Sequence, residues 1–188
     1  MDDGQGNEVT RLLETIRDGD AGAADRLFPM VYDELRGLAG SIFRGNAPLH
    51  TLQPTALVHE AWMKMAGGIE RLNDRQHFFA VAARAMRHVL ADHAKSKSRE
   101  KRGGDRHQVT LDGDDGALPA PSVDLIELHE ALETLAQLDP RQAHIAELRL
   151  FGGLTVREAA VLLDISPTTV SEDWRMSQAW LATRLTPP

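Results

Sequence analysis

Hydrophobic residues recur at helical spacing along most of the chain. Leu27, Val31, Leu35, Leu38 and Ile42 advance by four, four, three and four positions, which lines them along one helix face. Leu57, Val58, Ala61, Trp62 and Met65 make a second such face. Phe79, Ala82, Ala83, Met86, Val89 and Leu90 make a third, and Leu125, Leu128, Leu132, Leu135 and Leu138 a fourth. An opening helix is predicted around residues 9–17. No run of alternating β-branched residues stands out, and no repeat of solenoid period. The pattern predicts an all-α protein. Gly45-Asn46-Ala47-Pro48 ends the second helix, Gly67-Gly68 ends the one carrying Trp62, and Asn73 or Asp74 caps the next.

The clearest boundary runs through residues 103–122. Gly103-Gly104, Asp112-Gly113-Asp114-Asp115-Gly116 and Pro119-Ala120-Pro121 bury little apolar surface and read as a mobile, acidic linker. It divides the chain into two small helical domains, 8–102 and 123–186, each marginal in stability alone.

The most specific local signal follows in residues 155–185. Thr155 to Leu163 reads as a short helix opened by a Thr155/Glu158 capping box. Asp164-Ile165-Ser166-Pro167 is a tight turn, with Asp164 at a position suited to a left-handed backbone. Ser166 is an N-cap, and Pro167 loses nothing at the following first-turn position. Ala160 is small enough for a close helix crossing, and Leu163, Ile165, Val170 and Trp174 would fill the space between the two helices. In a DNA-binding helix-turn-helix the second helix enters the major groove. Thr168, Thr169, Ser171, Glu172 and Arg175 would then face DNA. An ordinary helical hairpin has the same pattern. Glu172 and Asp173 argue for weak binding because carboxylates repel phosphates, although Glu172 can accept from cytosine N4.

Charge sharpens the picture. The net charge is −7, but residues 84–106 hold eight Lys/Arg against three acids, which makes that stretch +5 and leaves −12 elsewhere. One basic strip in an acidic chain suits phosphate contact, although a solvated charged helix end would look alike. There are no cysteines, which removes disulfides, thiolate metal sites and cysteine nucleophiles. The eight histidines raise a metal enzyme as a question. His59-Glu60 and His129-Glu130 begin like zinc-protease motifs, but Met63 and Glu133 stand where the second histidine belongs. With no phosphate loop and no nucleophile elbow, no catalytic, metal or cofactor site is assigned. The N-terminus lacks an apolar signal region and no stretch is long enough to cross a bilayer, so a cytoplasmic protein with no membrane contact is expected.

Four stretches together resemble the extracytoplasmic-function (ECF) class of RNA polymerase sigma factors over nearly the whole chain. Leu12 to Asp20 followed by Ala23 to Phe28 is similar to that family's first helix pair. Ala56-Leu57-Val58-His59-Glu60-Ala61-Trp62 is similar to its core-binding motif, with Ala56 for the usual Asp and His59 for the usual Gln. Phe78 through Arg102 is similar to the promoter-melting and −10 helix. Leu135 to Gln142, leading into the helix-turn-helix, is similar to the start of the −35 domain, although Ser171, Glu172 and Asp173 stand where many relatives carry basic residues.

The resemblance implies an alternative sigma factor with core RNA polymerase and −10 and −35 promoter DNA as partners, a monomer when free, and an anti-sigma factor or other regulator as a further partner. Leu57, His59, Glu60, Met63 and Lys64 would dock on the polymerase. Arg84, Arg87, His88, His93, Lys95, Lys97, Arg99, Lys101 and Arg102 would bind the −10 region, with Phe78, Phe79, His88 or His93 stacking on an unpaired base. Asp112, Asp114 and Asp115 would either thread the polymerase's RNA channel or sit in a plain tether. No long extension follows Leu185, so no appended C-terminal regulatory domain is expected. The rival reading is a stand-alone helix-turn-helix regulator with a helical sensor or dimerisation domain; a structural adaptor is a third.

Overall fold

A computed structural model describes residues 3–44, 52–100, 108–110 and 122–185, with side chains for 7–20, 22–40, 52–97 and 123–185. The described residues form eight α-helices: α1 Asp3–Arg17, α2 Ala21–Arg44, α3 Pro54–Ala66, α4 Arg75–Glu100, α5 Leu125–Leu138, α6 Pro140–Leu150, α7 Val156–Leu163 and α8 Pro167–Leu185. The all-α expectation holds. Helix starts follow the capping chemistry of the sequence. The Asp74 carboxylate accepts from the His77 amide at 2.8 Å and opens α4. Asp124 accepts from the amides of Ile126 and Glu127 at the start of α5. Asp139 ends α5 and caps α6, accepting from the amides of Arg141 and Gln142 at 3.0 Å ahead of Pro140 in the first turn. Gly67 closes α3.

The predicted faces are the core. Leu27, Val31 and Leu35 of α2, Leu57, Val58 and Ala61 of α3, and Ala82, Met86 and Leu90 of α4 are buried together with Leu13 of α1. Leu125, Leu128 and Leu132 of α5 pack with Ile145 and Leu148 of α6, Phe151, and Val170, Trp174 and Leu181 of α8. Each buried Leu, Ile, Val, Met or Phe side chain among them stabilises the fold by roughly 1.5–3 kcal/mol relative to exposure. Leu138 departs from its predicted face. It is the last residue of α5, and it is exposed. The side chain of Ile42 lies outside the described residues.

Two features were not expected. Gln108–Thr110 and Ser122–Asp124 pair as a two-stranded antiparallel ladder, β1 and β2, so parts of the stretch read as a plain linker meet each other. Three-residue strands are too short for an alternating pattern to register. The chain on either side of β1, including Asp112, Asp114 and Asp115, lies outside the described residues. The second feature is that the halves are packed together. Helix α4 is the shared element: α1, α2 and α3 pack on it, and so do α5, α6 and α7.

Candidate polymerase and nucleic-acid interfaces

The outward face of α3 carries His59, Met63 and Lys64, all exposed, with Met63 76% accessible and Glu60 partly covered. An apolar side chain left this open is surface without a partner in the free chain. Beside it, His59 joins a ring cluster with Phe28 and Tyr32 of α2, at centroid distances of 5.4 and 6.0 Å. Leu57 does not belong to this face. It is fully buried between helices, so it positions α3 and is withdrawn from any docking surface, contrary to its expected role.

Two pairs fasten α3 to α4. Lys64 donates to Asp92 at 2.6 Å, and His93 lies 3.1 Å from Glu60. The hydrogen bond from Lys64 holds the Asp92 carboxyl below its ordinary range. Glu60, expected at the polymerase, and His93, expected at the −10 element, therefore satisfy one another here. Asp92 was not singled out in the sequence. A lone acid in a basic strip carries no mark of its partner, which stands 28 residues away.

The basic strip lies on α4 but is not uniformly open. Arg84 is half exposed, and Lys95 and Lys97 are partly covered. The side chain of Arg99, and Lys101 and Arg102 altogether, lie outside the described residues. Phe78 and Phe79 are core, which leaves His88 and His93 as the accessible rings among the four stacking candidates. Arg87 is 0% exposed, which removes it from solvent in this arrangement. Its Nε and Nη2 donate to Glu147 of α6 at 3.1 and 2.7 Å. Nη2 also donates to Glu133 of α5 at 2.6 Å, and Nη1 to His129 Nδ1 at 2.7 Å. A guanidinium cannot shed its charge, so burial is tolerable only with such partners. Burial pushes the Glu147 carboxyl up while Arg87 pulls it back. At Glu133 the hydrogen bond and charge of Arg87 outweigh burial and lower it. Burial and then Arg87 lower His88, and take His129 down to about 4.

His88, His129 and Glu133 bring three ligand-type atoms within 4.8 Å of one another. The chemistry does not favour a metal there. Arg87 already donates to His129 Nδ1 and to Glu133, so the ring's remaining nitrogen carries the hydrogen and the carboxylate faces a fixed cation.

The helix-turn-helix is built locally. Thr155 Oγ1 accepts from the Glu158 amide at 3.2 Å, and the Glu158 carboxylate accepts from the Thr155 amide at 2.7 Å. Asp164 is left-handed, φ 52° and ψ 44°. Ser166 Oγ accepts from the Thr169 amide at 3.0 Å and starts α8. Ala160, Val170 and Trp174 are buried, while Leu163 and Ile165 pack more loosely at the edge. Ahead of α7, Gly152 sits so close to α6 that a Cβ would come within 2.4 Å of the Leu148 carbonyl oxygen, a requirement the sequence reading did not extract. Thr168, Ser171, Glu172 and Arg175 are exposed on the first half of α8, and Thr169 is partly covered. Asp173 points inward. Arg141 Nε donates to it at 2.7 Å, and only 8% of its side chain is accessible. Its charge is neutralised within the domain and is not presented to phosphates, which corrects the expectation drawn from the sequence.

An all-helical chain ending in a capped helix-turn-helix, with a basic helix at its centre, has the architecture of a DNA-binding transcription protein. Residues 6–187, nearly the whole chain, match the ECF sigma factor family, and the chain belongs to it. The family comprises regulatory, non-catalytic factors of transcription initiation. No curated protein matches the chain significantly. Among the described residues no helix is long and apolar enough to cross a membrane.

Proposed function

We propose that this chain is an alternative sigma factor that binds core RNA polymerase through the outward face of α3 and directs it to −10 and −35 promoter elements. His59, Glu60, Met63 and Lys64 make the polymerase contact, with Leu57 holding the helix behind them. Arg84, Arg87, His88, His93, Lys95, Lys97, Arg99, Lys101 and Arg102 serve the −10 region. Thr168, Thr169, Ser171, Glu172 and Arg175 read the −35 duplex from α8. Residues 8–102 and 123–186 act as two modules joined by 103–122, and two weak DNA contacts on one tether reinforce each other through effective concentration. The observation that carries the reading is the solvent-facing first half of α8, capped at Ser166 and relieved of the Asp173 charge.

In vitro transcription with sigma-free core polymerase and pooled promoter fragments tests it. Specific start sites are expected with the native chain. They are lost with His59→Ala and Met63→Ala together, two surface changes that spare the fold. Absence of initiation and of core binding, with dimeric binding to a palindrome instead, would move the chain to the stand-alone regulators.

A further inference from the structure

We infer that Glu172 is a specificity residue that selects cytosine in the −35 element, with Arg175 selecting a guanine of the same or the adjacent base pair. The inference rests on the function proposed above and names the bases that α8 reads.

Two neighbouring carboxylates on α8 are treated in opposite ways. Asp173 is buried and held by two nitrogens of Arg141, Nε at 2.7 Å and Nη2 at 3.4 Å. Glu172 is exposed, and among the described residues its carboxylate has no partner. Arg175 is likewise exposed and unengaged, although an acid and a base three positions apart on a helix commonly pair. Ser171, Glu172 and Arg175 follow Thr168 at three, four and seven positions, so the four share one face. Thr169 is taken up by the cap, its hydroxyl 2.8 Å from Ser166 Oγ.

That face carries one acid and one base, so it has no net charge. Phosphate attraction contributes little there, and base edges decide what it binds. An ionised carboxylate only accepts hydrogen bonds. In the major groove guanine presents acceptors, thymine an acceptor and a methyl group, and adenine an acceptor beside its amino donor. Cytosine alone presents an amino donor with no acceptor next to it, so it is the base that satisfies Glu172 without repulsion. A guanidinium only donates, and its fork matches O6 and N7 of guanine. Three residues advance about 4.5 Å along a helix, close to the roughly 3.4 Å between base pairs, so the two side chains address one pair or its neighbour.

The test is transcription by core polymerase and the full chain from a promoter found in the pooled fragments. Its −35 region is randomised, each variant carries a barcode in the transcribed region, and the transcripts are sequenced. The native chain should favour cytosine at one position by roughly tenfold or more. Glu172→Gln should move that preference to adenine, because an amide accepts from N6 and donates to N7. Glu172→Ala should flatten that position alone, and Arg175→Ala should flatten a guanine preference in the same or the adjacent pair. Neither side chain belongs to the core, so helical circular dichroism should persist, and lost stability does not turn one base preference into another. A native profile without a cytosine preference, or an unchanged profile with Glu172→Ala, would overturn the inference. If no variant initiates, it is the sigma reading that fails. Selection of bound duplexes from the same pool by the chain alone then decides: cytosine enriched by the native chain and not by Glu172→Ala supports the role of Glu172, and any other result overturns it.

Discussion

The helix-turn-helix of α7 and α8 and the basic helix α4, the two elements proposed to meet DNA, are stabilised differently. The first is specified by contacts that all fall between Thr155 and Thr169. Its capping box, left-handed Asp164 and Ser166 cap are all contacts between near neighbours. The second is specified from afar: Arg87 finds its partners 42 to 60 residues downstream. A locally specified unit keeps its shape when its surroundings change. A distantly specified one changes its exposed surface whenever its partner leaves.

The largest expected effect lies on α3, the helix packed beside α4, where a buried position and an open one share one element. Leu57→Ala should cost about 2–5 kcal/mol, read as a fall in unfolding temperature, because it empties a fully buried site. Met63→Ala, about one and two-thirds turns along the same helix, should stay within about 0.5 kcal/mol. Equal stability of the two variants would show that α3 is not seated as described. Both residues carry apolar side chains in one motif, and the sequence grouped them as polymerase contacts. The 3.6-residue period separates them, since Leu57 shares the inner face with Ala61 and Met65.

This marks what the sequence disclosed. Helices, caps and the turn at Asp164 were legible because each depends on neighbours along the chain. The inward turn of Asp173 was not, although it falls on the face of Val170, since a carboxylate reads as exposed until its partner Arg141, 32 residues away, is placed. The burial of Arg87 was not legible for the same reason. An arginine in a basic strip reads as exposed until the acids that cover it are placed.

A smaller effect sharpens the contrast at the local unit. Thr155→Ala should cost about 1 kcal/mol by denaturant titration, confined to the cap it removes. Arg141→Ala frees the Asp173 carboxylate beside the recognition residues, and weaker −35 duplex binding is expected at unchanged helicity. Unaltered affinity would mean that Asp173 stays turned away without its partner.

The gentlest lever is acid, and it should act on one region only. The exposed first half of α8 carries no histidine, whereas the closed interface holds His77 and His88 and Arg84 and Arg87 from α4, His129 and Glu133 from α5, and His144 and Glu147 from α6. Burial, with Arg87 second, lowers His88 and brings His129 to about 4; burial, with His77 second, lowers His144. A histidine whose value is depressed on packing binds fewer protons closed than open, so closure is fully supported above the ordinary value of 6.5 and weakens as pH falls toward about 4. Glu133, also lowered, adds to the loss at the acid end, while the raised Glu147 takes up its proton more readily when closed and opposes it. Three imidazoles act before either carboxylate, so opening is the expected sign. X-ray scattering should show the radius of gyration growing as pH falls below 6.5 while far-ultraviolet dichroism stays helical, and His129→Ala should flatten the response. A radius that holds until helicity itself collapses would mean that the halves do not part before the helices melt.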